Sequence, residues 1–251
     1  MPFRIRTLNA ISQAGLSRLP GDRYLVGHDI TQPDALLLRS ASLHNQPIDP
    51  SVLAVARAGA GTNNIPIAEY SKHGIPVFNT PGANANAVKE LVVAGLFLAA
   101  RNIVDAAAFA HRLEGDHATM DKLVEAGKKN YVGFELPGRV LGVIGLGAVG
   151  VEVANVAISL GMHVLGYDPG ITVQHAWALS SEVEHVTSLD DLLRRSDIVT
   201  LHVPLVAGTK GLIGAEQFAA MKTSAVLLNF ARGPIVDEPS LLAALEANQI
   251  R

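Results

Sequence analysis

Val140-Leu141-Gly142-Val143-Ile144-Gly145-Leu146-Gly147-Ala148-Val149-Gly150 is the stretch on which the reading of this chain turns. Apolar residues 140–144 suit a buried parallel strand, three glycines follow at the spacing GxGxxG, and a helical pattern starts after Gly147 and runs to residue 160. A turn of this kind aims the N–H groups at the helix start toward whatever lies above them, and anionic groups are favoured there. Gly145 permits the tight turn, Gly147 leaves room for a phosphate, and Gly150 lets the helix pack on the strand. The next strand, residues 163–167, ends in Asp168, 18 residues beyond Gly150. A carboxylate there accepts hydrogen bonds from ribose hydroxyls and repels a 2′-phosphate. GxGxxG alone is a weak signal, but strand, turn, helix and acid in register point to a dinucleotide, with NAD favoured over NADP.

Working outward, residues 197–203 and 225–229 read as two further strands, and 189–194, 215–221 and 237–248 as helices. This is a doubly wound parallel pattern with four strands where such a sheet usually has about six, so it reads as C-terminally incomplete. Upstream, residues 4–8, 35–38, 53–55 and 76–78 read as strands, and 12–19 and 65–73 as helices. They form one α/β unit. Residues 86–111 read as a single long helix, rich in Ala, Leu and Val. The more polar 113–136, with Gly115, Gly127 and Gly133, reads as a linker closing near Pro137. The expected division is residues 1–85, a connecting segment 86–136, and 137–251.

The 251 residues, 49% of them hydrophobic, suffice for two cores and predict a soluble globular protein. A net charge of −3, with the basic residues scattered, offers no footprint for nucleic acid, so an anionic partner must be small. With no cysteine there is neither a disulfide framework nor a thiolate metal site, and the expected compartment is the cytoplasm. Residues 1–9 lack the apolar core of a secretory signal, and the longest apolar run, 91–100, is about half a membrane span. No membrane partner is expected.

Three arginines stand at the ends of expected strands, where ligand sites of open α/β sheets lie, and all three are expected at an interdomain cleft. Arg39 and Ser40 follow 35–38, Arg57 opens the glycine-rich Ala58-Gly59-Ala60-Gly61, and Arg232 follows 225–229. A planar guanidinium grips carboxylate or phosphate through paired charge-assisted bonds. The ordinary alternative for each arginine singly is a solvated residue or a structural ion pair. His202, in Leu201-His202-Val203-Pro204, reads as structural. The nine histidines show no spacing that pairs them as ligands, so no metal is expected.

Residues 57–65 (RAGAGTNNI), 74–84 (GIPVFNTPGAN), 88–91 (VKEL), 145–150, 202–204 and 229–237 occur in the order seen in D-2-hydroxyacid dehydrogenases, and the chain resembles that family over nearly its whole length. Within it the likeness is greatest to the branch acting on 3-phosphoglycerate. The resemblance implies an α/β fold: a flavodoxin-like substrate domain followed by a Rossmann NAD-binding domain. It implies that Arg232 binds the substrate carboxylate and polarises its carbonyl. Arg39, Ser40 and Arg57, with the amides near Ala60 and Gly61, match positions holding the anionic ends of a phosphorylated 2-hydroxy acid. Ala148 and Val149 match residues whose backbone touches the pyrophosphate. Asn84, Val203, Phe230 and Ala231 match positions lining the cofactor cleft. The family's acid/base histidine and its carboxylate are expected after Arg251, and a homodimer or homotetramer is expected. Two other readings stay open: a glyoxylate or hydroxypyruvate reductase, and a non-catalytic NAD-responsive protein similar to the dehydrogenase-like corepressors.

Overall fold

Residues 1–251 are described by a computed structural model, in which short aliphatic runs pair side by side into two all-parallel sheets, one in each of two units, Met1–Asn84 and Ala85–Arg251. In the first unit the strands are β1 (Phe3–Leu8), β2 (Tyr24–Gly27), β3 (Ala35–Leu38), β4 (Ala54–Arg57) and β5 (Val77–Phe78). Their order is β2-β1-β3-β4-β5, the flavodoxin-like arrangement expected. Leu38 and Val55 are wholly buried and join Leu43, Val52, Ile65 and Tyr70 in the core. The intervening helices are short, α1 at Gln13–Leu16 and α2 at Ile67–Lys72. The edge strand β2 was not expected. Tyr24–Gly27 is only four residues long, and what makes it a strand is its register against Phe3, Arg4, Ile5 and Arg6, which no local pattern records.

The second unit begins with α3 (Ala85–Arg101), α4 (Ile103–His111) and α5 (His117–Gly127). One long helix over 86–111 was expected, but the chain bends by 67° between α3 and α4. Asn102 adopts left-handed backbone (φ 48°, ψ 37°), a conformation that asparagine tolerates better than most residues. The break is held from outside the helix. The carbonyl of Ala100 accepts from Phe134 N–H at 2.8 Å, Asn102 Nδ2 donates to the Val132 carbonyl, and Arg251 Nη2 donates to Asn102 Oδ1. Residues 113–136, expected as a linker, contain α5, which Asp116 caps by accepting from Thr119 N–H. Residues 85–136 therefore pack as part of the second unit. No single helix is long and apolar enough to cross a membrane.

The remainder is β6 (Val140–Ile144), α6 (Ala148–Ser159), β7 (His163–Tyr167), α7 (Val173–Ala178), β8 (Glu184–His185), α8 (Leu189–Arg195), β9 (Ile198–Leu201), α9 (Ala215–Ala220), β10 (Val226–Asn229) and α10 (Glu238–Glu246). The order β10-β9-β6-β7-β8 is that of the first five strands of the Rossmann sheet. The chain supplies five strands where four were expected. The fifth, β8, is a two-residue edge fastened by Arg195, which bridges Glu184 at 2.7 Å and Asp191 at 3.1 Å. Central β6 is covered on both faces. Leu141 and Val143 pack with Val92, Leu96 and Ala157 on one side, and Ile144 packs with Leu192, Val199 and Leu201 on the other. Burial on both faces is why this strand is an unbroken apolar run.

A candidate dinucleotide and anion site

In the second unit the glycine turn joins β6 to α6 at the carboxyl ends of β6, β7 and β9. Gly145 has φ 93°, and a methyl there would lie 2.8 Å from the His202 carbonyl and from Val203 Cγ1. At Gly150 a methyl would lie 1.9 Å from the Gly145 carbonyl oxygen, so helix and turn touch through bare backbone. Gly147 differs from both. Its φ of −76° suits any residue, and a methyl there would meet no atom within 4 Å. No side chain caps α6 at Gly147, so the first-turn amides, Ala148 and Val149 among them, are left to water or a ligand. A bare helix start with open space beside its second glycine suits a pyrophosphate, and the residues present fit a dinucleotide.

Asp168 directly follows β7 and is half-buried. One carboxylate oxygen accepts from Leu146 N–H and the other from Gly170 N–H, both at 2.8 Å. Asp168 therefore also braces the glycine turn, a role the sequence did not reveal. Each oxygen keeps a second lone pair that can accept from a ribose hydroxyl. Val203 lies against Gly145, on the turn. The Phe230 ring fills the space beside Gly95 of α3, coming within 2.9 Å of where a methyl would be, so it packs in the core as well. Ala231 packs with the cluster around Ile235.

Arg232 is exposed, and its Nη1 donates to the Ala231 carbonyl at 2.8 Å. The turn that presents it is built by Asn229, which donates to the Arg232 carbonyl at 2.9 Å and accepts from Ala231 N–H at 3.1 Å. Asn229 was not among the residues expected at the site. The available signal was an asparagine closing an apolar strand, where its amide can bond the backbone two or three residues on.

His202 is structural, as its sequence setting suggested. Its N–H donates to the Ile144 carbonyl at 2.8 Å, and Nε2 meets the hydroxyl of fully buried Thr200 at 2.9 Å. Burial pushes its pKa down to about 4. The folded ring stays neutral while an unfolded one takes up a proton below about pH 6.5. Stability from this group is thus complete above that pH and is lost as pH falls toward 4. We expect unfolding in urea to show wild type losing about 2 kcal/mol more than His202→Gln between pH 7.5 and 5; equal losses would contradict this.

In the first unit Leu38 of β3 pairs with Arg57 of β4, which sets Arg39 and Arg57 at neighbouring strand ends. Arg57 Nε donates to the Arg39 carbonyl at 3.0 Å. Arg39 and Ser40 are exposed. Gly59 has φ 148° and accepts from Thr80 N–H, and the Ala60 carbonyl accepts from Asn79 Nδ2 at 2.7 Å. Gly61 is half-buried in the same turn, and Asn84 is exposed just before α3. One histidine pairing was overlooked in the sequence: His117 and Asp121 meet at 3.7 Å across one turn, both largely exposed. No cluster of three or more His, Asp or Glu side chains could hold a metal.

Residues 95–251 match the model of the D-isomer specific 2-hydroxyacid dehydrogenase, NAD binding domain. The chain is 38% identical over 225 residues to the D-3-phosphoglycerate dehydrogenase of Methanocaldococcus jannaschii, covering 88% of this chain and 40% of the relative. It is 35% identical over 247 residues to the protein of the same name from Archaeoglobus fulgidus, covering 95% and 42%. The chain thus spans about two fifths of the length of these curated relatives. Holo D-mandelate dehydrogenase of Rhodotorula graminis superposes with a TM-score of 0.80 at 27% identity, covering 100% of this chain and 80% of the other. With the NAD-binding motif and both sheet orders in agreement, the chain belongs to the D-isomer specific 2-hydroxyacid dehydrogenases.

Proposed function

We propose that the protein containing this chain oxidises 3-phosphoglycerate to 3-phosphohydroxypyruvate, the step that opens serine biosynthesis. The observation that carries the choice of substrate is the pair Arg39 and Arg57 on adjacent strands, joined through the Arg39 carbonyl at 3.0 Å, with Ser40 beside them. Two guanidiniums and a hydroxyl suit a doubly charged phosphate, which accepts several charge-assisted hydrogen bonds at once. The similar D-3-phosphoglycerate dehydrogenases support the same reading.

In this reading the backbone at Ala148 and Val149 holds the pyrophosphate and Asp168 the ribose, with Asn84, Val203, Phe230 and Ala231 as the positions that line the cofactor cleft. Bound there, NAD supplies the acceptor for a hydride. Arg232 grips the carboxylate of the acid and donates to the oxygen on the reacting carbon, favouring the arrangement with negative charge there. Arg39, Ser40, Arg57 and the amides of Ala60 and Gly61 orient the other anionic groups, fixing which carbon is presented.

Replacing Arg57 with Ala is the test. Loss of charge-assisted bonds is expected to raise KM for 3-phosphoglycerate by about 10- to 100-fold, and KM for an unphosphorylated 2-hydroxy acid by about twofold. An equal effect on both would favour a glyoxylate or hydroxypyruvate reductase. NADH binding without turnover of any 2-hydroxy acid would favour a non-catalytic sensor.

Assembly and location belong to the same proposal. Helices α3 to α5 expose Leu91, Leu98, Ile103, Val104, Leu123 and Val124. Apolar side chains in such number on neighbouring helices suit a homodimer or homotetramer, and sedimentation of the full-length protein as a monomer at micromolar concentration would reject it. A cytoplasmic location is checked by cell fractionation.

A further inference from the structure

Between β3 and the residues that follow, the backbone of Arg39, Ser40 and Ala41 is gripped from two sides by asparagines that belong to neither strand. Asn9, just past β1, accepts through one amide oxygen from both Ser40 N–H, at 3.1 Å, and Ala41 N–H. Asn64 reaches in from the other side. Its Nδ2 donates to the Arg39 carbonyl at 3.2 Å and to the Ala41 carbonyl at 2.7 Å.

The Arg39 carbonyl and the Ser40 N–H are the two ends of one peptide unit, so that unit is fixed at both ends and cannot rotate without breaking bonds to both asparagines. Each asparagine holds its position at a cost. Asn9 sits at φ 69°, left-handed backbone that few non-glycine residues adopt. Asn64 Oδ1 is buried with no hydrogen-bond partner, an arrangement that disfavours the fold. Flipping that amide would set its oxygen against two carbonyls, so the unpaired acceptor is the consequence of aiming the donor at both. Costs of this kind persist where the surrounding structure needs the geometry.

We propose that Asn9 and Asn64 are positioning residues for anion binding: they lock the peptide between Arg39 and Ser40 so that the guanidinium and the hydroxyl project together, and thereby set the preference for a phosphorylated over an unphosphorylated acid. The proposal rests on the reading of Arg39 and Ser40 as substrate-binding groups. With the backbone donors of Ser40 and Ala41 consumed by Asn9, what the turn offers outward is side-chain chemistry. That chemistry includes a guanidinium, which selects for a planar or tetrahedral oxyanion.

Full-length protein carrying Asn9→Gly, Asn9→Asp or Asn64→Asp tests it. Glycine keeps the left-handed backbone and removes the acceptor, Asn9→Asp keeps an acceptor oxygen, and Asn64→Asp replaces the donor with an acceptor. Amide hydrogen exchange at Ser40 and Ala41 is expected to quicken by about tenfold or more in Asn9→Gly and Asn64→Asp. The same two variants are expected to raise KM for 3-phosphoglycerate about tenfold, with kcat and the NADH dissociation constant moving much less. Asn9→Asp should stay near wild type in both measurements. Unchanged exchange in Asn9→Gly and Asn64→Asp would overturn the positioning role while leaving the substrate reading intact. Faster exchange with unchanged KM would also overturn the positioning role, because the turn would then be loosened without consequence for the acid, while the substrate reading stands or falls with Arg57→Ala. Equal falls in kcat and NADH affinity would mark a global structural effect and likewise refute the proposal.

Discussion

Gly147→Ala is expected to weaken NADH binding at least about tenfold while leaving stability within about 1 kcal/mol of wild type, and Gly150→Ala to lose about 3 kcal/mol of stability. The two glycines are three residues apart in one motif, yet the structure assigns them different work. At Gly147 the backbone is ordinary and a methyl would touch no atom of the protein, so folding has no reason to require glycine. Its methyl would occupy the open space beside the uncapped start of α6. At Gly150 a methyl would run into the Gly145 carbonyl at 1.9 Å. Helix and strand would have to separate, and packed interiors resist such shifts. Thermal unfolding with a fluorescence titration of NADH reads both quantities. Equal destabilisation by the two substitutions, with NADH affinity preserved in Gly147→Ala, would refute the division.

The second large effect is expected at Arg232. In full-length protein, Arg232→Ala should lower kcat for 3-phosphoglycerate by about a hundredfold to a thousandfold, the range seen when a fixed donor to developing negative charge is removed. Lysine at this position is expected to recover little, because a point charge cannot reproduce two parallel bonds to a carboxylate. Asn229 adds a structural reason: it holds the Arg232 backbone on one side and Ala231 on the other, so the side chain departs from a set turn. Steady-state kinetics settles it, and a change in kcat under tenfold would remove Arg232 from the chemistry.

How much of this was legible in the sequence depends on whether the cause was local. Strands β6 and β7 fall at the residues expected, Val140–Ile144 and His163–Tyr167, because burial on both faces leaves an apolar run bounded by turn residues. The glycine turn was equally legible, because its three glycines stand together in the chain at a recognisable spacing, although the contact that requires Gly145 comes from His202 and Val203. The break at Asn102 was not, because it depends on Val132, Phe134 and Arg251, which are remote in sequence. Edge strands β2 and β8 escaped for the same reason. At the site, charged and glycine residues announced themselves, while Asn9, Asn64 and Asn229 did not. Their function is to bond backbone, and an asparagine that does so resembles any turn asparagine until its partners are known.

Cofactor binding here requires a dinucleotide lying across the start of α6 with its adenosine ribose at Asp168. Isothermal titration of the intact polypeptide with NADH, and separately with NADPH, tests it most directly. Heat is expected on adding NADH, with an affinity for NADPH at least about tenfold weaker, since the Asp168 carboxylate repels a 2′-phosphate. No heat with either dinucleotide, or equal affinity for the two, would contradict it.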